Sequence, residues 1–178
     1  MNNTTKRLVF SAAAIALAQV TSMIKVIEMP MGGSVTLLSM LFIVLIGYWF
    51  GPSAGLITGA AYGLLQFMIE PVVYTIPQML TDYPLAFGAL GLSGFFHKQK
   101  HGLIIGYLAG VLGRYFFSFL SGVIFFASYA PDNMAAPIYS LVYNGSYLGA
   151  EATITIILIA LPPVSKALEQ VKGMVSEG

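Results

Sequence analysis

Cysteine is absent from this chain, and charge is scarce. Without cysteine there is no disulfide and no thiolate metal site. The two histidines, His97 and His101, stand together in the run HKQKH, which leaves little material for a histidine metal centre or a catalytic triad. Only 8% of residues are charged, 57% are apolar, and the mean hydropathy is +0.83. A soluble domain carries about 25% charged residues because its surface meets water. This chain cannot cover such a surface, so lipid is expected to be its main solvent. The formal charge of +1 provides no field for nucleic acid.

What is present is apolar sequence in blocks. A membrane helix needs about 20 mostly apolar residues. Segments near 7–28, 34–50, 53–69, 78–96, 103–128 and 137–162 meet that need, separated by glycine, proline or charge. The expectation is an all-α integral membrane protein, a compact bundle of six transmembrane helices forming a single domain over residues 1–178. The opening KRLVFSAAAIALAQ has the basic start and apolar run of a secretory signal, but no soluble domain follows, so it reads as the first helix. With both termini cytoplasmic, Lys6, Arg7, Lys98, Lys100, Lys166 and Lys172 fall on the inner side, while Glu28, Glu70 and Asp132 fall outside with only Lys25 near them. That is a positive-inside pattern, and it predicts a multi-pass protein of a cell membrane.

Ionisable groups at membrane depth cost about 2.5–3.5 kcal/mol on insertion scales, so each needs a partner or a purpose. Arg114 and Glu151 each lie about 11 residues, or about 16 Å, from the inner end of their helices. Equal depth on adjacent antiparallel helices predicts a structural ion pair. The same arithmetic puts Asp82, Tyr83, Ser118, Tyr139, Tyr143 and Asn144 about 22–35 Å up, in the outer half of the bundle. One carboxylate among tyrosines and an amide describes a pocket for a small cationic or aromatic molecule. Tyr147, on the same face as Tyr139 and Tyr143, reads as an interfacial anchor. Ala12/Ala16 and Ala14/Ala18 are small-xxx-small pairs, which suit close helix approach within the chain or to a partner. No histidine accompanies Ser118 or Ser121 at their depth, and one aspartate makes no dyad, so an enzyme is rejected. Neither the length nor an internal repeat suggests a self-contained secondary transporter.

Four ordered blocks, MPMGGSVTLLSM (29–40), FGPSAGLITGAAYGLLQF (50–67), LTDYPLAFGALGLSGFF (80–96) and RYFFSFLSGVIFFASYAPDNMAAPIYSLVYNGSY (114–147), run in order from residue 29 to residue 147. Together they resemble the thiamine-specific substrate-binding subunit, or S component, of energy-coupling factor (ECF) vitamin transporters. The resemblance implies tight binding of thiamine from outside, beneath a lid here near Glu28–Ser34. It also implies docking through the first helix, with Ala12, Ala14, Ala16 and Ala18 as the interface, onto a membrane scaffold subunit with two cytosolic ATPases. The chain itself would need no cofactor and no metal, ATP being used only by those partners. By motif position Asp82 stands for the family's acidic ligand residue, often glutamate, with Tyr83, Tyr139 and Asn144 around thiamine. Two positions depart: Ser118 occupies the place of a histidine, and Phe126 that of a tryptophan or another aromatic. Phe126 keeps a stacking face, whereas Ser118 lacks the area of an imidazole. Hydroxymethylpyrimidine or a vitamin B6 form is therefore the alternative ligand, and a structural or channel subunit without vitamin binding the alternative of a different class.

Overall fold

The structure, a computed structural model, describes residues 2–176. The first helix, α1 (Asn3–Ser22), is capped by Asn2, whose side chain accepts from the Thr4 amide at 3.1 Å. It ends well before the predicted residue 28. Lys25–Glu28 (β1) instead pairs antiparallel with Ser34–Thr36 (β2), in a register that sets Ile27 against Val35 and Glu28 against Ser34. The turn between them uses Gly32 and Gly33, both at positive φ, where glycine alone is unstrained. The expected loop is thus the tip of a β-hairpin.

α2 (Ser39–Phe50) follows and is buried on nearly every side, including Met40, Ile43, Val44 and Ile46. A helix that is apolar all round belongs in the core. Its 12 residues rise only about 18 Å, short of a bilayer's apolar thickness. The hairpin takes up the chain where the N-terminal turns of such a helix would stand. α3 (Pro52–Ile69) starts immediately beyond Gly51, with proline in its first turn.

The segment expected as one helix over 78–96 is broken into four pieces. α4 (Ile76–Leu80) passes into a π-helical turn (Thr81–Leu85), then α5 (Ala86–Gly88), then a 3-10 stretch (Ala89–Phe96). Pro84 lies inside the π turn; it has no N–H to give and its ring crowds the preceding turn, and the wider coil accommodates both defects. α3 presses closely on this irregular segment. A Cβ built on Gly63 would collide with the Tyr83 carbonyl, and one on Gly55 would stand 2.8 Å from the Gly91 Cα.

α6 (Gly102–Phe125) and α7 (Ala136–Ala160) complete the bundle, and α7 bends by 82° into an amphipathic α8 (Pro162–Ser176) that the sequence reading did not anticipate. Pro162 and Pro163 mark that corner. Lys172 on α8 places its ammonium 3.8 Å over the Tyr48 ring and donates to the His97 carbonyl. Trp49 meets Phe10 edge-on at 6.0 Å, where α1 crosses α2.

Large apolar side chains cover the outside of the bundle, among them Leu8, Leu112, Phe116 and Ile157. Such a surface is suited to lipid rather than water. By length and composition α6 qualifies as a membrane span on its own, and α7 qualifies together with its bent continuation. The mostly helical, apolar architecture stands as expected. The fourth segment does not form one regular helix, and α2 is shorter than a span.

Candidate functional site

Under the hairpin lies a cavity of about 660 Å³, a size usual for a small-molecule site. All seven residues singled out for binding line it: Asp82, Tyr83, Ser118, Phe126, Tyr139, Tyr143 and Asn144. They come from the π turn, from the C-terminal half of α6 and the residue that follows it, and from α7.

Asp82 is steadied by Gln78, one turn earlier and fully buried, whose amide donates to Oδ2 at 2.6 Å. Gln78 also donates to the Val72 carbonyl at 3.1 Å and accepts from the Tyr74 amide at 3.0 Å. One glutamine therefore ties the α3–α4 loop to the carboxylate. Tyr83 does similar work. Its hydroxyl donates to the Glu70 carbonyl at 2.8 Å and accepts from the Val72 amide at 3.0 Å. The hydroxyl is thus engaged with the loop, and the ring is what Tyr83 turns to the cavity.

Tyr139, Tyr143 and Tyr147 recur every four residues along α7 and form a ladder. The first two stack at 5.8 Å between centroids, 28° from parallel; the second and third meet at 5.7 Å and 72°. Tyr147 corrects an expectation. It lines the cavity and donates its hydroxyl to Asn144 Oδ1 at 3.0 Å, so it belongs to the site and not to an interfacial belt. Asn144, only 5% exposed, donates to the carbonyls of Ser140 at 3.0 Å and Ser118 at 3.3 Å. Ser118 thereby contributes its backbone to the Asn144 network as well as a side chain to the wall.

The rim adds Tyr74 and Tyr129, which the sequence reading passed over. Tyr74 and Tyr129, from loops on opposite sides, bring their hydroxyls to 2.6 Å of each other. Phe126 packs edge-on against Tyr74 at 5.3 Å. Met31 from the hairpin and Glu70 also line the cavity.

The predicted ion pair does not form. Among the described residues the sole salt bridge is Lys25–Glu28, at 3.8 Å on the surface. Glu151 is instead surrounded by donors from the hairpin root: the Thr36 amide at 3.1 Å, the Thr36 hydroxyl at 2.7 Å, the Ser39 hydroxyl at 3.2 Å and the Met40 amide at 3.3 Å. Depth arithmetic places two residues at one level but does not say which way each faces around its helix, and Glu151 faces α2. Arg114 lies with its guanidinium carbon 4.1 Å from the Phe87 ring centroid, and its Nε is buried without a partner. It lines the main cavity and also a second, of about 450 Å³, between α1, α3 and the hairpin.

The alanine stripe divides as well. Ala14 and Ala18 are buried against the chain's own helices, and Tyr62 donates to the Ala18 carbonyl at 3.2 Å. They are internal packing residues and not a partner surface. Ala12 and Ala16 are exposed.

The chain matches, over residues 8–170, the family described as thiamine transporter protein. It is 38% identical over 167 residues to the thiamine transporter ThiT of Bacillus subtilis, covering 86% of this chain and 85% of that protein. It is 28% identical over 120 residues to the thiamine transporter ThiT of Lacticaseibacillus paracasei, covering 58% and 60% of the two chains. The solved structure of ThiT from Listeria monocytogenes superposes with a TM-score of 0.73 at 27% identity, covering 91% of this chain and 97% of that one. The same helical architecture and a match over most of the sequence lead to one assignment: the chain belongs to the thiamine transporter protein family.

Proposed function

We propose that this protein is the thiamine-binding S component of an ECF-type importer. It captures the vitamin from outside in the 660 Å³ cavity and hands it to a membrane scaffold driven by two cytosolic ATPases. The observation that carries the reading is the convergence of a carboxylate, a tyrosine ladder and a buried asparagine on one aromatic-walled cavity, in a member of this family. Asp82 supplies the negative charge for a cationic ring or a protonated ring nitrogen. Tyr139, Tyr143 and Phe126 offer ring faces, each worth about 0.5–2 kcal/mol against a flat cation. Asn144 can exchange its internal partners for the donor and acceptor edge of an aminopyrimidine.

The topology that fits is six passes with both termini cytoplasmic, the hairpin outside and α8 along the inner surface. The exposed Ala12 and Ala16, flanked by Leu8, Val9 and Val20, offer the face for the scaffold. The chain performs binding and delivery and no chemistry of its own. Calorimetric titration of the purified protein with thiamine, hydroxymethylpyrimidine and pyridoxine tests the reading. Tight binding of thiamine with weak binding of the others is expected. Preference for a neutral ring would move the substrate, and no saturable binding would return the protein to a structural or channel role.

A further inference from the structure

We infer that Glu151 is a positioning residue for the hairpin, and that through it α7 sets how long a bound ligand stays in the cavity. The inference rests on the reading of that cavity as the thiamine site.

A two-stranded hairpin is marginal by itself and needs anchoring. The Leu37 amide ties the root to the Thr21 carbonyl at the end of α1 at 3.4 Å, and the side-chain anchoring comes from one face of α7. Glu151 is 3% exposed and its two oxygens accept from four donors at the end of β2 and the first turn of α2. Between those donors lies Leu38, at φ 62°, a left-handed conformation unfavourable for a branched side chain. α2 has no side-chain cap of its own. Glu151 supplies from another helix the acceptor and the negative charge that a helix N-terminus favours.

The hairpin tip rests on the same helix. Gly33 lies against Tyr147 so closely that a Cβ would come within 2.7 Å of the ring, and a Cβ on Gly32 would touch Tyr143 at 3.4 Å. Tyr143, Tyr147 and Glu151 are spaced by four residues and so share a face. Root and tip are therefore fixed along one line, and the tyrosine between them is bonded to Asn144 in the cavity wall. Releasing the root leaves the tip held only by ring contacts.

The experiment compares wild type, Glu151→Gln and Thr36→Val as full-length protein in detergent. Hydrogen–deuterium exchange over residues 25–36 is measured without ligand, and dissociation of radiolabelled thiamine is measured separately. Glu151→Gln keeps the shape but presents an amide N–H₂ to groups that already donate. Hairpin amides are expected to exchange about tenfold faster, with α6 unchanged. Thiamine should leave about tenfold faster, with its association rate held within about threefold. Thr36→Val, which removes one of the four donors, should shift both readouts the same way by less. Unchanged hairpin exchange overturns the latch, and faster exchange with unchanged dissociation overturns its role in retention. Exchange that rises equally in α6 for both variants shows general loosening and also overturns it. A wild type that fails to bind thiamine sinks the functional reading, while the exchange measurement still decides the latch.

Discussion

Arg114 is the residue whose energetics run against intuition. Its Nε is buried without a partner, and Glu151, at similar sequence depth, is fully engaged elsewhere. A buried N–H left without an acceptor costs about 1–3 kcal/mol. Arg114→Met puts an unbranched apolar chain beside Phe87 and removes that donor. It is expected to raise the melting temperature of the ligand-free protein by about 2–4 °C, the shift that about 1 kcal/mol gives in a chain of this size. A partner in a buried ion pair would instead lose about 3–5 kcal/mol on truncation, so a fall in thermal stability would restore the pairing. Asp82 answers to a different measurement. Asp82→Asn should weaken thiamine by about 10–100-fold, as expected for loss of a charged hydrogen bond. A neutral analogue titrated in parallel should lose much less, and equal losses would remove the charge from the recognition. Asp82, Tyr139 and Asn144 were legible in the sequence because polar side chains stand out in apolar segments. The direction in which Arg114 and Glu151 face was not, because azimuth depends on helix packing.

Elements explain why the site has its shape. The π turn that carries Asp82 and Tyr83 exists where Pro84 interrupts an otherwise helical run, and α3 approaches it through glycines spaced by four. Gly63→Ala would press a methyl group into the Tyr83 carbonyl and displace the turn. The expected result is a loss of about 1–3 kcal/mol in stability, as for other overpacked sites, together with weaker thiamine binding. Thermal unfolding and titration read the two effects, and a fully stable variant with normal affinity would show that the turn yields without disturbing Asp82. The apolar blocks made most helices legible, but not their regularity. A proline and a glycine-rich run both allow a kinked helix, and only contact with α3 selects the π and 3-10 forms. The hairpin stayed hidden for a related reason: Lys25–Glu28 continues an apolar run, and only its pairing with Ser34–Thr36 makes it a strand.

For the whole molecule, the question is which surfaces meet lipid, which meet a partner, and which are internal. Two alanines two positions apart on α1 separate these roles. Ala14 is buried and Ala16 is exposed. Ala14→Trp should prevent folding or lower the melting temperature severely. Ala16→Trp should leave thiamine binding by the isolated subunit unchanged while reducing uptake in cells that carry the scaffold. Unimpaired uptake with Ala16→Trp would remove that face of α1 from the docking surface. The amphipathic α8 escaped the sequence reading because its charges resemble a solvated tail, and its bend is set by Pro162 together with the docking of Lys172 on Tyr48. The chromophores are also divided in space. Tyr74, Tyr83, Tyr129, Tyr139, Tyr143 and Tyr147 all line the cavity, whereas the single tryptophan, Trp49, lies outside it where α1 crosses α2. With six of the ten tyrosines on the cavity wall, a ligand-induced difference in tyrosine absorbance registers mainly what enters the pocket, and red-edge tryptophan emission registers what happens where α1 crosses α2, so loading and engagement can be followed in one sample without attaching a label.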